Sequence, residues 1–352
     1  MISLQGSPTA PSPSQLTDGA SYIEYWAEDA EEQSRYLSGW DQRYEQLSPG
    51  PFRGHTSEVQ FSSLQVFRER SNCSLQETCT VRRDAFVIGV PVALEGAGWC
   101  NGWALDGDTL LLHRPGDEVL LRTPASLDLI AVSLPWSDLV RHARAVNGDE
   151  LPPAISRTGQ ALHSPALARE IRGFLLSVLD SISASPAILN YTAVREGLKE
   201  GVLNTVVSVI GNAPPQNAAP RTSKGRQALI LRAIDYMRSR IGEPIPITDL
   251  CSALCVSQRT LQYCFEEVLQ TNPVAYLKAL RLNGVRTELR RGSPSDTTVQ
   301  DIAARWGFWH LSRFAQEYRQ MFGELPSDTL RSARHLTGGS AALVMPATDL
   351  PH

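Results

Sequence analysis

The stretch IAARWGFWHLSRFAQEYRQMFGELPSDTLR, residues 302–331, decides the fold of the C-terminal third of this 352-residue chain. A helix that begins at Thr297 or Thr298 ends at Gly307, which supplies a tight turn. The helix that follows carries apolar residues at helical spacing, namely Leu311, Phe314, Tyr318 and Met321. Two helices joined by a tight turn form a helix-turn-helix unit, whose second helix can enter the major groove of DNA.

The same pattern occurs once before in the chain, between Ile247 and Leu269. A short helix that runs to Leu254 is followed by a three-residue break, and Ser257 is a good N-cap for the second helix. The two units align within one residue, with Val256 matching Phe308, Leu261 matching Phe314 and Phe265 matching Tyr318. Between the units, residues 273–289 predict a long amphipathic helix that braces them, and residues 224–240 predict a further helix before them.

The outward-facing positions of the two second helices carry side chains suited to reading base pairs. Gln and Arg form paired hydrogen bonds with adenine and guanine edges, and two such helices on a rigid connecting helix can enter successive major grooves. The candidate DNA-contacting residues are Gln258, Arg259, Gln262, Tyr263, Trp309, His310, Ser312, Arg313 and Gln316. A solvated helix face is the alternative, and Trp309 and His310 suit packing at the start of their helix equally well. Phosphate contacts are expected from Arg281, Arg286, Arg290 or Arg305.

Charge is distributed unevenly along the chain, whose formal net charge is −4. Residues 224–335 hold 16 basic and 11 acidic residues, a balance of +5, which leaves 17 basic and 26 acidic residues elsewhere. A basic C-terminal block on an acidic body suits a polyanionic partner for that block alone.

Two segments, LCSALCVSQRTLQYCFEEVLQTNPVAYLKALRL at 250–282 and the stretch at 302–331, resemble the DNA-binding domain of the arabinose-regulator (AraC/XylS) family. The GFWHL sequence, with LKALRLNGVRTEL upstream, is most similar to the branch that includes the ethanolamine-utilisation regulator. One departure is Cys255, where the family often has Gly before the second helix. The resemblance covers about a third of the chain. It implies a transcription regulator of the activator type whose partners are double-stranded promoter DNA, RNA polymerase, a small-molecule effector and a second copy of the chain.

The N-terminal region has a different character. The pattern of residues 21–47 indicates a polar helix. From Gly50 to Leu134, short runs of alternating apolar and polar residues are separated by turn residues, which predicts the strands of a sandwich or small barrel. Helical periodicity returns at 136–146 and 165–183. The fold class predicted for the whole chain is therefore α+β, with a mainly-β sensor domain and a C-terminal all-α domain of two helix-turn-helix units.

The resemblance implies that the N-terminal domain is a cupin-like barrel that senses a small molecule and dimerises, and residues 50–72 resemble the start of such a domain. Four of its side chains are candidates for lining an effector pocket, namely Arg68, Trp99, Trp103 and His113, although each is more often structural. A metal-binding cupin offers two His and a Glu, and this stretch has only His113 with Glu118 five residues on. We therefore expect no metal and no cofactor.

A helix over residues 187–210 shows two apolar faces, one of which could pack on its own domain and the other on a partner. It is the candidate dimer helix, and burial of both faces within one subunit fits equally well. The predicted organisation is a disordered N-terminus at 1–20, an effector-sensing and dimerisation domain at 21–212, a linker at 213–223, the DNA-binding domain at 224–335 and a flexible tail at 336–352.

Two other classes of function are the alternatives. A β-barrel enzyme with a helical appendage would need a complete acid–base or ligand set, and no phosphate-binding loop, nucleophile motif or carboxylate–His cluster occurs. We therefore expect no enzyme. A protein-interaction adaptor that lacks DNA binding is the other alternative. No run approaches the roughly 18–20 apolar residues of a membrane span, and the N-terminus has no secretory-signal pattern, so a cytoplasmic location is expected.

Overall fold

A computed structural model describes residues 14–15, 20–148, 160–213, 224–291 and 297–338, and within them the fold is α+β, as predicted. The strands are β1 Ser14–Gln15, β2 Ser21–Ala27, β3 Gln42–Gln46, β4 Gly54–Phe61, β5 Leu64–Ser71, β6 Leu75–Thr80, β7 Ala85–Glu95, β8 Gly98–Cys100, β9 Trp103–Leu105, β10 Thr109–His113, β11 Glu118–Arg122, β12 Ser126–Pro135 and β13 Gln160–His163. The helices are α1 Ala30–Gln33, α2 Trp136–Asn147, α3 Pro165–Ala184, α4 Thr192–Gly211, α5 Lys224–Ser239, α6 Ile247–Leu254, α7 Gln258–Leu269, α8 Pro273–Arg290, α9 Val299–Arg305, α10 Leu311–Phe322 and α11 Pro326–Gly338, with a 3₁₀ turn at Pro186–Asn190.

Most residues of the predicted terminal segments and of the predicted linker are not among the described residues. Residues 1–13 and 16–19 of the predicted disordered N-terminus, 214–223 of the predicted linker and 339–352 of the predicted tail lie outside the described residues. Ser14–Gln15 pairs with β2, and residues 336–338 belong to α11.

The N-terminal strands form two sheets. The larger sheet has the order β1-β2-β4-β5-β12-β7-β10-β13, and the smaller has the order β3-β6-β11-β8-β9. One face of the larger sheet packs on helices α2, α3 and α4, and its buried side chains form the main core with theirs. The opposite face packs on the smaller sheet, because Leu111 and Leu127 from one sheet and Cys100 and Leu121 from the other share one apolar cluster.

The C-terminal helices form two cores, one for each predicted helix-turn-helix unit. Helix α8 contributes to both, with Leu277 and Leu280 in the first core and Leu282 and Val285 in the second. Leu47, which follows β3, also packs against both cores. The N-terminal domain therefore contacts both units at the helix that joins them.

The predicted helix over residues 21–47 is wrong. This segment forms β2, the four-residue helix α1 and β3, with β2 paired along its whole length to β4. The run SYIEYWA of β2 is rich in aromatic and β-branched residues, which fit a half-buried strand better than a helix. Within the region predicted to form strands, residues 59–70 form a hairpin, because Ser62 and Ser63 both adopt left-handed φ angles, of 47° and 66°, and make a two-residue turn.

Helix α4 leaves no apolar face for a partner. Val202, Leu203, Val206, Val207, Val209 and Ile210 are all buried within the chain, on both faces of the helix. This burial favours the alternative, in which both faces pack inside one subunit, and the interpretation of the segment as the dimer helix stays an untested prediction.

Gly284 of α8 is the contact point for Trp306, which follows α9. A Cβ at position 284 would lie 2.0 Å from two atoms of the Trp306 ring. We expect Gly284→Ala to lower the free energy of unfolding by about 1–3 kcal/mol through overpacking, although Ala is the better helix former.

The matched control for this substitution is Gly197→Ala in α4, where a Cβ would meet nothing within 4 Å. There we expect a gain of about 0.5–1 kcal/mol, because Ala restricts the unfolded chain and has the higher helix propensity. Urea denaturation followed by circular dichroism measures both. A stabilised Gly284→Ala variant would contradict the packing of Trp306 on α8.

Candidate nucleic-acid interface

The turn of the first helix-turn-helix unit depends on Cys255. This residue adopts a left-handed φ of 56°, and the amide of Val256 donates to the carbonyl of Cys251 at 3.0 Å. Such a six-to-one hydrogen bond after a left-handed residue is the Schellman way of ending a helix, which glycine serves best. Cys255 therefore occupies the conformation of the glycine that it replaces. Ser257, two residues after Cys255, caps α7 by accepting from the amide of Thr260 at 3.1 Å, as predicted.

The second unit repeats this turn with the expected glycine. Gly307 has a φ of 77°, and the amide of Phe308 donates to the carbonyl of Ala303 at 2.9 Å. Its first helix, α9, begins with a capping box in which Thr298 and Asp301 each accept from the other's backbone amide. The hydroxyl of Thr298 also donates to the Asp301 carboxyl at 2.6 Å, and this hydrogen bond, with the one from the Thr298 amide, holds the pKa of that carboxyl below its usual value.

The sequences of the two units align with one extra residue in the second unit. The turn residues Val256 and Phe308 are 52 positions apart, whereas the core residues Leu261 and Phe314 are 53 apart. The extra residue lies in the Trp309–His310 segment, because α10 begins at Leu311, three residues after Phe308, while α7 begins two residues after Val256. Leu261, Phe265, Phe314 and Tyr318 are all at most 2% exposed, so the predicted alignment describes equivalent core positions.

All nine candidate DNA-contacting side chains are solvent-exposed. The structure places Gln258, Arg259, Gln262 and Tyr263 on the free face of α7, and Trp309, His310, Ser312, Arg313 and Gln316 at the start and on the free face of α10. Trp309 is 65% exposed, so it does not pack into the second core.

Three of these side chains are oriented by neighbours on their own unit. Gln262 donates to Glu266 at 3.0 Å, and Arg313 donates to Glu317 at 3.1 Å, in each case one helical turn away. The guanidinium of Arg226 lies 5.1 Å from the centre of the Tyr263 ring. Exposed pairs of this kind are worth well below 1 kcal/mol, so they are readily exchanged for contacts with bases.

The arginines expected to contact phosphate are mostly engaged within the protein. Arg281 donates to the carbonyl oxygens of Ile241 at 3.0 Å and Glu243 at 2.5 Å, and burial lowers the pKa of its guanidinium. Arg286 is buried in ion pairs, and Arg290 pairs with Glu32 at 2.7 Å. Arg305 pairs with Glu288 and is half exposed. The sequence identified these arginines as candidates for phosphate contacts but could not show that acidic residues, Asp29 and Glu32 at α1 and Glu288 in α8, pair with three of them.

Sequence reasoning missed the contact between the two domains. The backbone of Gln46 exchanges two hydrogen bonds with the side chain of Asn283, at 2.9 and 2.8 Å. Glu45 pairs with Arg238 and accepts from the hydroxyl of Tyr276 at 2.9 Å. The outer face of the smaller sheet therefore lies on α5 and α8. The only signal in the sequence was a set of charged residues in β3 with no evident partner.

The four candidate effector residues do not converge on one space. Arg68 pairs with Asp128 at 2.7 Å on the helix-covered side of the larger sheet. His113 and Trp103 lie between the two sheets, where the Nε2 atom of His113 is 3.6 Å from Cys100 Sγ. Trp99 is adjacent to Cys100 in β8, so its side chain points to the opposite face.

A family model described as a helix-turn-helix domain matches residues 250–332. The chain is 38% identical over 104 residues to the probable thc operon regulatory protein of Rhodococcus erythropolis, covering 30% of this chain and 31% of that protein. It is 35% identical over 103 residues to the xylDLEGF operon transcriptional activator of Pseudomonas putida, covering 29% and 32%. A solved AraC-type transcriptional regulator from Chromobacterium violaceum shares 28% identity, covering 32% of this chain and 96% of that one, with a TM-score of 0.29.

The chain thus spans about a third of the length of the curated relatives that it matches. The matched residues coincide with the two units, their turns and the connecting helix α8. Within the described part of the chain, no helix is long and apolar enough to cross a membrane. Residues 250–332 are therefore a helix-turn-helix domain, similar over this part of the chain to those of the operon regulators named above.

Proposed function

We propose that this chain is a sequence-specific DNA-binding transcription regulator, of the activator type, that reads two successive major grooves with α7 and α10. The observation that carries the proposal is the exposure of Gln258, Arg259, Gln262, Arg313 and Gln316 on the second helices of two units with equivalent turns and cores. Arg and Gln present paired donors and acceptors that match guanine and adenine edges.

The proposal extends to the rest of the chain. The domain at 21–212 senses a small-molecule effector, the domain at 224–335 binds promoter DNA, and the regulator acts in the cytoplasm as a homodimer that contacts RNA polymerase. It does so without a cofactor and without enzymatic activity. The GFWHL sequence supports a place near the regulators of ethanolamine utilisation. The dimer contact uses a surface other than α4, whose apolar faces are covered.

The test is DNA binding by variants of the two arginines. We expect Arg259→Ala and Arg313→Ala each to weaken binding to the promoter beside this gene by about 1–3 kcal/mol, which is about 5- to 150-fold in Kd, and to relax preference at a particular base pair. Fluorescence anisotropy with the promoter and with single-base variants measures both effects. Affinity should also fall steeply with salt concentration, because phosphate contacts release counterions.

Arg331→Ala is the matched control. Arg331 is exposed on α11 and pairs with Asp328 at 3.2 Å, outside the two second helices. Its removal should change affinity by less than about twofold and leave base preference intact. Unchanged affinity in both Arg259→Ala and Arg313→Ala would overturn the proposal and favour an adaptor.

A further inference from the structure

The space between the two N-terminal sheets is unusually acidic. Side chains on the inner faces follow from strand pairing, and they include Glu58 in β4, Glu69 in β5 and Glu77 in β6. Among the described residues on these inner faces there is no Lys or Arg. Buried carboxylates normally have a cationic partner, because an isolated charge is costly to remove from water.

This space is not filled by the side chains that face it. On the helix-covered side of the larger sheet, Val66, Ile130 and Val132 are completely buried. On the inner side of the same strands Glu69 and Leu129 remain partly accessible, and across from them Glu77 and Trp103 do too. Partial exposure between two packed sheets indicates an internal cavity among the described residues.

The two central carboxyl groups are held close together. Glu69 accepts a hydrogen bond from the hydroxyl of Tyr44 at 2.9 Å, and Tyr44 is the strand neighbour of Glu77. Burial and the proximity of other carboxylates raise the pKa of Glu69 to about 7, and burial and Glu69 raise that of Glu77. The carboxyl group of Glu77 has no hydrogen bond or ion pair in the described part of the chain, so it faces the cavity alone.

His113 provides a second, independent sign of a missing ligand. It is 5% exposed, and its Nδ1 atom has no hydrogen-bond partner. Its Nε2 atom contacts Cys100, and Cys100 and Glu77 both pair with Leu121, on the two sides of β11, so the imidazole lies at the same cavity. Burial lowers the pKa of His113 to about 4, and the neutral ring can therefore accept or donate one further hydrogen bond.

A metal ion does not fit this arrangement. No group of three His, Cys, Asp or Glu side chains converges closely enough to bind one among the residues that the structure describes. The carboxylates are instead spread over strands of both sheets, with the aromatic rings of Tyr44 and Trp103 between the same faces. An organic cation is larger than a metal ion, and aromatic faces attract it as well as carboxylates do.

We propose that the cavity between the two sheets binds a small organic cation, a protonated amine or guanidine, through Glu69 and Glu77, with a polar group of the ligand bonded to His113. This rests on the proposed function, because it names the chemical class of the effector. The ligand supplies the positive charge that the inner faces lack, and it gives Glu77 the partner that the protein does not provide.

The test uses the full-length protein without DNA. Isothermal titration calorimetry measures the binding of four organic cations, namely ethanolamine, putrescine, choline and agmatine. Neutral counterparts that lack the charge, such as ethylene glycol and 1,4-butanediol, are titrated in the same way. We expect at least one cation to bind and no neutral counterpart to bind with comparable affinity. Glu77→Gln should raise the dissociation constant of that cation at least tenfold. Glu95→Gln, at the exposed end of β7, is the matched control and should bind as the parent protein does.

Three results would overturn the proposal: no binding by any of the four cations, equal binding of a neutral counterpart, or full affinity in Glu77→Gln. Thermal unfolding of Glu77→Gln without ligand shows whether the variant folds, and we expect its midpoint to be no lower than that of the parent, since Glu77 has no partner to lose. DNA binding is measured separately, so a protein that binds the cation but no DNA would contradict the proposed function and leave the ligand site standing.

Discussion

Replacement of Arg286 by Met is expected to lower the free energy of unfolding by about 3–5 kcal/mol, because it leaves the buried carboxylate of Asp29 without a cation. The Nε atom of Arg286 donates to Asp29 at 2.5 Å, and another guanidinium nitrogen donates to Glu324 at 2.7 Å. The two side chains of the first pair are only 8% and 6% exposed. Met retains much of the volume of the arginine stem, so the loss reports on charge and hydrogen bonding.

Asp29 cannot turn away to reach water. Its other carboxylate oxygen accepts from the amides of Glu31 and Glu32 at 3.0 and 3.3 Å, which caps α1. The pair therefore joins the N-terminal domain to the helix between the two DNA-binding units. Its loss should destabilise the contact that holds α8 against the sensor domain.

The control for this prediction is Arg291→Met at the end of the same helix. Arg291 pairs with Glu31 at 3.2 Å, but it is 67% exposed, so its loss should cost at most about 1 kcal/mol. Guanidinium denaturation of both variants gives the comparison. Asp29→Asn keeps a capping side chain, and the double variant with Arg286→Met should recover part of the loss. If Arg286→Met and Arg291→Met lowered the free energy of unfolding equally, the buried ion pair would contribute no more to stability than the exposed one.

The C-terminal domain could be predicted from sequence because its signals are local. Helix periodicity, the Ser257 and Thr298 caps and Gly307 each act within a few residues, and the helices predicted at 224–240 and 273–289 end within one residue of the observed ones, whereas α11 was not predicted as a separate helix. The equivalence of Leu261 with Phe314 followed from the same local patterns. Even Cys255, the one departure, takes the left-handed conformation that the local turn requires.

The N-terminal domain was harder to predict because its structure depends on distant partners. Residues 21–27 form a strand because they pair with β4, and nothing within the segment itself specifies that partner. Arg68 was expected at the effector pocket, but its face of the sheet depends on the register of β5 and on Asp128, sixty residues away. The acidic cavity was missed for the same reason, since Glu69 and Glu77 lie on different sheets.

Removal of Glu69 is the second prediction with a large effect, and it concerns the dependence of stability on pH. The pKa of Glu69 is raised to about 7 in the folded protein, mainly by burial, with Glu58 as a further cause. Between the ordinary value of about 4.5 and about 7, the unfolded chain loses the proton while the folded protein keeps it. The parent protein therefore loses stability as pH rises through this range, by up to about 3 kcal/mol.

The parent protein alone does not isolate the contribution of Glu69, because Glu77, whose pKa is also raised, adds to this loss and His113 opposes it. The pKa of His113 is lowered to about 4 by burial, so the unfolded chain takes up a proton first as pH falls below about 6.5. Its contribution to stability is present above that value and is lost as pH falls. Between about pH 4.5 and 6.5 the two carboxyl groups and His113 act in opposite directions, and only a comparison with a variant separates the contribution of Glu69.

We therefore expect Glu69→Gln to gain stability relative to the parent as pH rises from 4.5 to 7, by up to about 3 kcal/mol, and to keep that gain above pH 7. Denaturation at half-unit pH steps measures the difference, with the exposed Glu95→Gln as the control for loss of a carboxylate. A difference independent of pH would mean that Glu69 titrates as it does in the unfolded chain. If an organic cation binds beside Glu69, its addition should shrink the difference, because it stabilises the ionised carboxylate that the empty cavity disfavours.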